Sequence, residues 1–191
     1  YYRSAMNIRN RRLRKDYEKV LAELGPSEYV RVEVVAGDPP HQYRATYRLN
    51  GIMWDETTAD VARIGEHVVD IHLPVGYPKQ SPRCVMRTPI WHPNINHLNG
   101  SVCIDAAWWA ASRSLDRLVI MLGEMIQYKN FHDDPTKPPF PWDPEAARWC
   151  RAYRMTHPDA FPVDRRELLR PERVKLAPKR GIKKSSGIRL K

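Results

Sequence analysis

The sequence predicts an α+β domain: an N-terminal helix, a four-stranded antiparallel meander, a long irregular loop carrying a cysteine, and then two helices. Three observations predict it. Apolar residues recur at three- and four-residue steps near the N-terminus and again after residue 114. Between these stretches lie short runs that alternate apolar and polar residues. No helical period separates those runs, so successive strands pair with their neighbours and form a meander.

The first helix is read over 6–24, where Leu13, Tyr17, Val20, Leu21 and Leu24 share a face and Gly25-Pro26 stops it. Arg11, Arg12, Arg14 and Lys15 occupy the opposite face. Strand signals follow at Val30 to Val34, Tyr43 to Leu49, His67 to Leu73 and Arg83 to Arg87. Gly37-Asp38-Pro39-Pro40 turns the chain after the first, and Asn50-Gly51 reads as a hairpin turn after the second. Prolines 74, 78, 82, 89 and 93 stiffen the next stretch without making it regular. Leu115, Leu118, Val119, Leu122, Met125 and Ile126 restore helical spacing. After a loop rich in Asp and Pro, Asp143-Pro144 provides an N-cap and a first-turn proline for the last helix. The folded body is placed at 1–163, with a basic, flexible tail at 164–191 where periodicity fades.

The formal charge of +10 suggests nucleic acid until it is located. Residues 164–191 hold eleven Lys and Arg against three acids, and residues 1–24 hold seven against three, so the central body is slightly acidic. The tail lacks aromatic residues for base stacking, so nucleic acid is not required to explain it. No apolar run approaches the roughly 20 residues of a membrane span. Three widely spaced cysteines with no C-x-x-C pair argue against a disulfide framework or a zinc site and fit a cytoplasmic setting. No metal and no cofactor is implied.

Cys103 is the natural nucleophile. It follows Asn99-Gly100, a turn that exposes what comes after it, and precedes a helix. A thiolate is strongly nucleophilic, and its thioester still reacts readily with amines. Asn94 carries a side-chain amide that could donate to a developing oxyanion, or simply form a turn. Cys84 on a strand and Cys150 on an apolar helix face read as core.

Tyr77-Pro78 with Ser81-Pro82, His92-Pro93-Asn94, Asn99 to Asp105, Trp108 or Trp109 with Ser114-Leu115, and Pro144-Glu145-Ala146-Ala147 occur in this order. Together they resemble the core of the ubiquitin-conjugating enzymes from about residue 6 to 160. The resemblance implies the ubiquitin-conjugating fold, with Cys103 taking a ubiquitin-like protein as a thioester from an activating enzyme and passing it to a lysine. It implies Asn94 as the family's asparagine, which stabilises the oxyanion, orders the loop, or does both. His92 and Pro93 would then support that loop. Asp134, with Asp133 next, resembles the acid that orients or desolvates the attacking lysine. Arg11, Arg12, Arg14 and Lys15 would dock the activating enzyme, and a ligase or target protein is a further partner.

The sequence also departs from the family pattern. The cysteine stands nine residues after the asparagine where the family has eight, and Thr136 to Asp143 lengthen the loop before the last helix. Such insertions in a compact core resemble ubiquitin-like systems of bacterial operons, some linked to antiviral defence. Two alternatives remain at this point: a non-catalytic ubiquitin-binding module of the same fold, and a thiol hydrolase using His92 or His97 as base.

Overall fold

The computed structural model describes residues 2–104 and 109–169, with side chains from residue 8. Asp105 and Trp108 of the expected motifs, and the tail from residue 170, lie outside the described residues. Helix α1 spans Tyr2–Leu24, and its Leu13, Val20 and Leu24 are buried. Leu21 is exposed, contrary to the expected face, because the covered stripe here is narrower than the run of apolar residues. The helix ends at Gly25, whose N–H bonds Leu21 O at 3.1 Å and where any Cβ would meet that oxygen at 2.4 Å.

The expected strands appear as β1 (Val30–Ala36), β2 (Gln42–Tyr47), β5 (His67–His72) and β6 (Arg83–Met86). They form one antiparallel sheet in the order β1-β2-β5-β6. Tyr43, Ala45 and Tyr47 alternate inward on β2, as do Val69 and Ile71 on β5. Helix α2 (Leu115–Ile126) lays Leu115, Leu118, Leu122 and Ile126 into the same core, which α1 also joins. Each such leucine stabilises the fold by about 1.5–3 kcal/mol through removal from water.

One element escaped the sequence reading. Strands β3 (Gly51–Asp55) and β4 (Asp60–Ile64) form a separate antiparallel hairpin. Gly51 opens β3 and is no hairpin-turn residue. A Cβ there would lie 2.6 Å from His67 Nε2, so glycine serves a close approach. Neither short strand alternates cleanly between buried and exposed, which left no period to read.

Helix α3 (Pro144–Thr156) closes a smaller core of Ile52, Tyr128 and Cys150, lined by Phe131, Trp149 and Phe161. A tail beginning at 164 needs correction for its first six residues. Asp164 Oδ2 accepts from Asn50 N at 2.7 Å, Ser27 Oγ donates to Leu168 O at 2.7 Å, and Leu168 is only 5% exposed. Leu168 reaches the core because Gly123, inside α2, leaves room: a Cβ there would stand 2.3 Å from Leu168 Cδ1. Two adjacent leucines, Leu168 in the core and Leu169 packed against it, left no periodicity for the sequence to reveal.

Candidate active site

The segment from Trp91 to Val102 folds as a small irregular ladder. His92 bridges Ile95, Ile95 bridges Val102, and Ser101 bridges Val85 at the end of β6. Gly100 lies at φ +71°, where a Cβ would be 2.1 Å from Met86 O, so the turn admits only glycine. Asn96 Oδ1 accepts the N–H groups of Leu98 and Asn99 at 3.0 and 3.1 Å. The extra residue between Asn94 and Cys103 is absorbed in this capped turn, and Cys103 N still donates to Asn94 O at 2.9 Å.

Cys103 is half-buried and in no disulfide. It shares a cavity of about 50 Å³ with Asn94, His132 and Pro139, floored by Met121 and Met125. Larger hollows, about 570 Å³ beside α1 and β1 and about 520 Å³ between the 135–141 loop and α3, do not include Cys103. The other thiols are buried, as expected. Burial pushes Cys150 up to about 12 and Cys84 still further, so neither ionises near neutrality.

The His-Pro-Asn tripeptide joins three pieces of chain. Buried His92 accepts from Asn94 N at Nδ1 (3.1 Å) and packs its ring against Tyr128 and Phe131. Burial lowers its pKa to about 3, which removes it as a base at neutral pH. Pro93 O accepts from Asp143 N at 2.8 Å, tying the start of α3 to the ladder. The Asn94 carboxamide grips one residue from both sides. Its Oδ1 accepts from His132 N at 2.7 Å, and its Nδ2 donates to His132 O at 3.1 Å.

Neither acid lines the cavity. Asp133 turns to α3, where Arg154 holds its carboxylate at 2.6 Å and Arg151 donates to its carbonyl. Asp134 is more exposed. Its Oδ1 accepts from Thr136 Oγ1 at 2.6 Å and Thr136 N at 2.9 Å, and its Oδ2 lies 3.7 Å from Lys137 Nζ. The Thr136 hydroxyl, with its N–H, holds that carboxyl below the usual carboxylate range. His97 is also engaged away from the cavity, against Trp91 and Asp143.

The four basic residues of α1 do not act as one face. Arg11, Arg14 and Lys15 are exposed. Arg12 turns inward, pairs with Asp16 at 2.7 Å, donates to Ala111 O at 2.6 Å and to Arg113 O, and stacks over Tyr77. It therefore secures the chain that leads into α2. A helical period cannot separate it from Arg11, because the carbonyls it reaches lie about a hundred residues away.

The sequence profile described as ubiquitin-conjugating enzyme matches residues 61–156, just over half of the chain. This chain belongs to that family. Among solved structures, the E2 domain of a Toxoplasma gondii ubiquitin-conjugating enzyme is similar to it at 26% identity and a TM-score of 0.52. The match covers 77% of this chain and 87% of that one. As a ubiquitin-conjugating enzyme, the protein is a thioester-forming transferase of the carrier type, with ubiquitin, an activating enzyme and a ligase as its general partners. Among the described residues, no helix is long and apolar enough to cross a membrane.

The residue the sequence reading missed is His132. It immediately precedes Asp133 and Asp134, and an imidazole beside two carboxylates is the signal the sequence carries for it.

Proposed function

We propose that Cys103 is the residue that carries the modifier, receiving its C-terminal acyl group from the activating enzyme and yielding it to an amine. The observation that carries this reading is the Cys103 N to Asn94 O bond at 2.9 Å, which keeps the thiol beside the His-Pro-Asn turn despite the extra residue. It also lies at a cavity open to an incoming group, whereas Cys84 and Cys150 are buried. Asn94 is the organiser of the site. With its carboxamide committed to His132, it acts first by ordering the loop, and its remaining amide hydrogen is the one available to an oxyanion.

Asp134 serves the acceptor side in this reading. Its Oδ2 lies 3.7 Å from Lys137 Nζ, a loose pairing at an exposed side chain that a substrate lysine would displace. Asp133, His92 and Pro93 support the loop. Arg11, Arg14 and Lys15 form the surface for the activating enzyme, raising its association rate by long-range attraction. The bacterial-operon affiliation, with a dedicated ubiquitin-like modifier, keeps only the support of the two insertions, and inspection of the gene neighbourhood tests it.

The test of the cysteine is charging with activating enzyme, ATP and ubiquitin. The wild type forms a thiol-sensitive adduct, Cys103→Ser forms a thiol-resistant ester or none, and a normal adduct on Cys103→Ala would falsify the assignment.

A further inference from the structure

We infer that His132 is the proton acceptor for aminolysis of the thioester, a role that rests on Cys103 being the carrier residue. Among the cavity-lining residues it alone, apart from Cys103, has an ionisable side chain. Its backbone is clamped in both directions by the Asn94 carboxamide, so the residue is fixed at the cavity that Cys103 also lines, and its side chain is exposed. The other groups able to accept a proton are engaged elsewhere. His92 is buried with Nδ1 occupied, His97 is bound to Asp143, and Asp133 is paired with Arg154. Asp134 can attract a cationic lysine, but a carboxylate stabilised by Thr136 is a poor base.

The step balances without a further reactant. The neutral amine attacks the thioester carbonyl, forming a C–N bond and sending the π electrons to oxygen. The adduct's ammonium proton passes to the neutral His132 imidazole. The oxyanion then collapses, the C–S bond breaks, and the Cys103 thiolate leaves and takes the proton from the imidazolium. Amide, thiol and neutral His132 result. Among the described residues, the charged and titratable groups near His132 are Cys103 at the same cavity, His92 behind the Asn94 clasp, and Asp133 and Asp134 on its own loop, with Lys137 beside Asp134 and Arg151 and Arg154 of α3 beside Asp133.

The test uses the full chain charged with ubiquitin and chased with free lysine in single turnover. Because Asn94 touches only the backbone of His132, His132→Gln keeps the clasp. Charging should proceed at the wild-type rate, and discharge at pH 7.5 should slow about a hundredfold, the lower end of what general-base catalysis contributes. The ratio of wild-type to variant discharge cancels ionisation of the amine. It should fall toward one on acidification, as protonation removes the imidazole as a proton acceptor. His132→Ala, checked for a normal melt, should regain discharge when free imidazole is added. A pH-independent ratio near one, or no rescue by imidazole, overturns the role of His132 while leaving Cys103 in place. Failure of the wild type to charge on Cys103 overturns the underlying reading instead.

Discussion

His97 Nδ1 lies 2.5 Å from Asp143 Oδ2, and the same oxygen accepts the His97 backbone N–H at 2.9 Å. Asp143 Oδ1 meanwhile caps α3 by accepting from Ala146 N at 3.0 Å. One buried carboxylate thus joins the turn that absorbs the extra residue to the helix that follows the lengthened loop. Trp142 Nε1 donates to Ser101 Oγ at 2.9 Å and adds a second tie between the two insertions. The turn before Cys103 and the loop that leads into α3 are one structure in space.

Asp143→Ala should cost about 2–4 kcal/mol. Loss of the cap contributes about 1, and the two orphaned His97 donors contribute the rest. His97→Ala should cost less, since the cap survives. A double-mutant cycle by denaturant unfolding should show a coupling of at least 0.5 kcal/mol. Strict additivity would show that the insertions are independent.

Asn94→Ala removes both bonds to His132 and should lower stability by about 1–3 kcal/mol. Charging should persist, because exchange between two thiols needs less positioning than attack by an amine. Lysine discharge should fall at least tenfold, and amides of residues 130–135 should exchange faster with solvent. Unchanged discharge would show that the clasp is not needed for chemistry.

The basic residues of α1 should separate into two phenotypes. Arg12→Ala leaves Asp16 buried without its cation and should destabilise the fold by about 3–5 kcal/mol. Arg11→Glu with Arg14→Glu should change stability by no more than about 0.5 kcal/mol. It should slow charging at low salt, with the difference shrinking as salt screens charge over roughly 8–10 Å. Melts and charging rates measured together decide it.

Acid should destabilise the protein before its carboxylates titrate. Burial lowers the pKa of His67 to about 4 and that of His92 to about 3, whereas an unfolded histidine titrates near ~6.5. Below that pH the unfolded chain binds protons that the folded chain refuses. Stability is therefore full above about pH 6.5 and falls on acidification toward the folded values, by up to about 1.4 kcal/mol per pH unit for each histidine. Unfolding measured from pH 6.5 to 5 should show this slope, and His67→Gln should roughly halve it.

Two truncations should behave differently. Removing residues 176–191 should leave the melting temperature and the discharge of pre-charged enzyme nearly unchanged. Ending the chain at 163 removes buried Leu168 and leaves the Asn50 N–H without Asp164, a loss of about 3–5 kcal/mol. Equal stability of the two would place Leu168 outside the working core.

What the sequence by itself determined are the features whose signal is local. The spacing of Leu13, Val20 and Leu24, the alternation of Tyr43, Ala45 and Tyr47, the Asp143-Pro144 cap and the Asn99-Gly100 turn before Cys103 each lie within a few residues of what they specify. Tertiary structure alone decided where equivalent side chains turn. Arg12 and Arg11 are neighbours with the same charge, yet Arg12 finds carbonyls at Ala111 and Arg113 while Arg11 meets solvent. Asp133 finds Arg154 on α3, Leu168 finds the gap left by Gly123, and Asn94 finds the backbone of His132. Each of those partners is 21 to 101 residues distant, beyond the reach of any helical or strand period. A desolvated polar group is costly unless paired, so whichever partner the folded chain brings within about 3 Å decides where it turns.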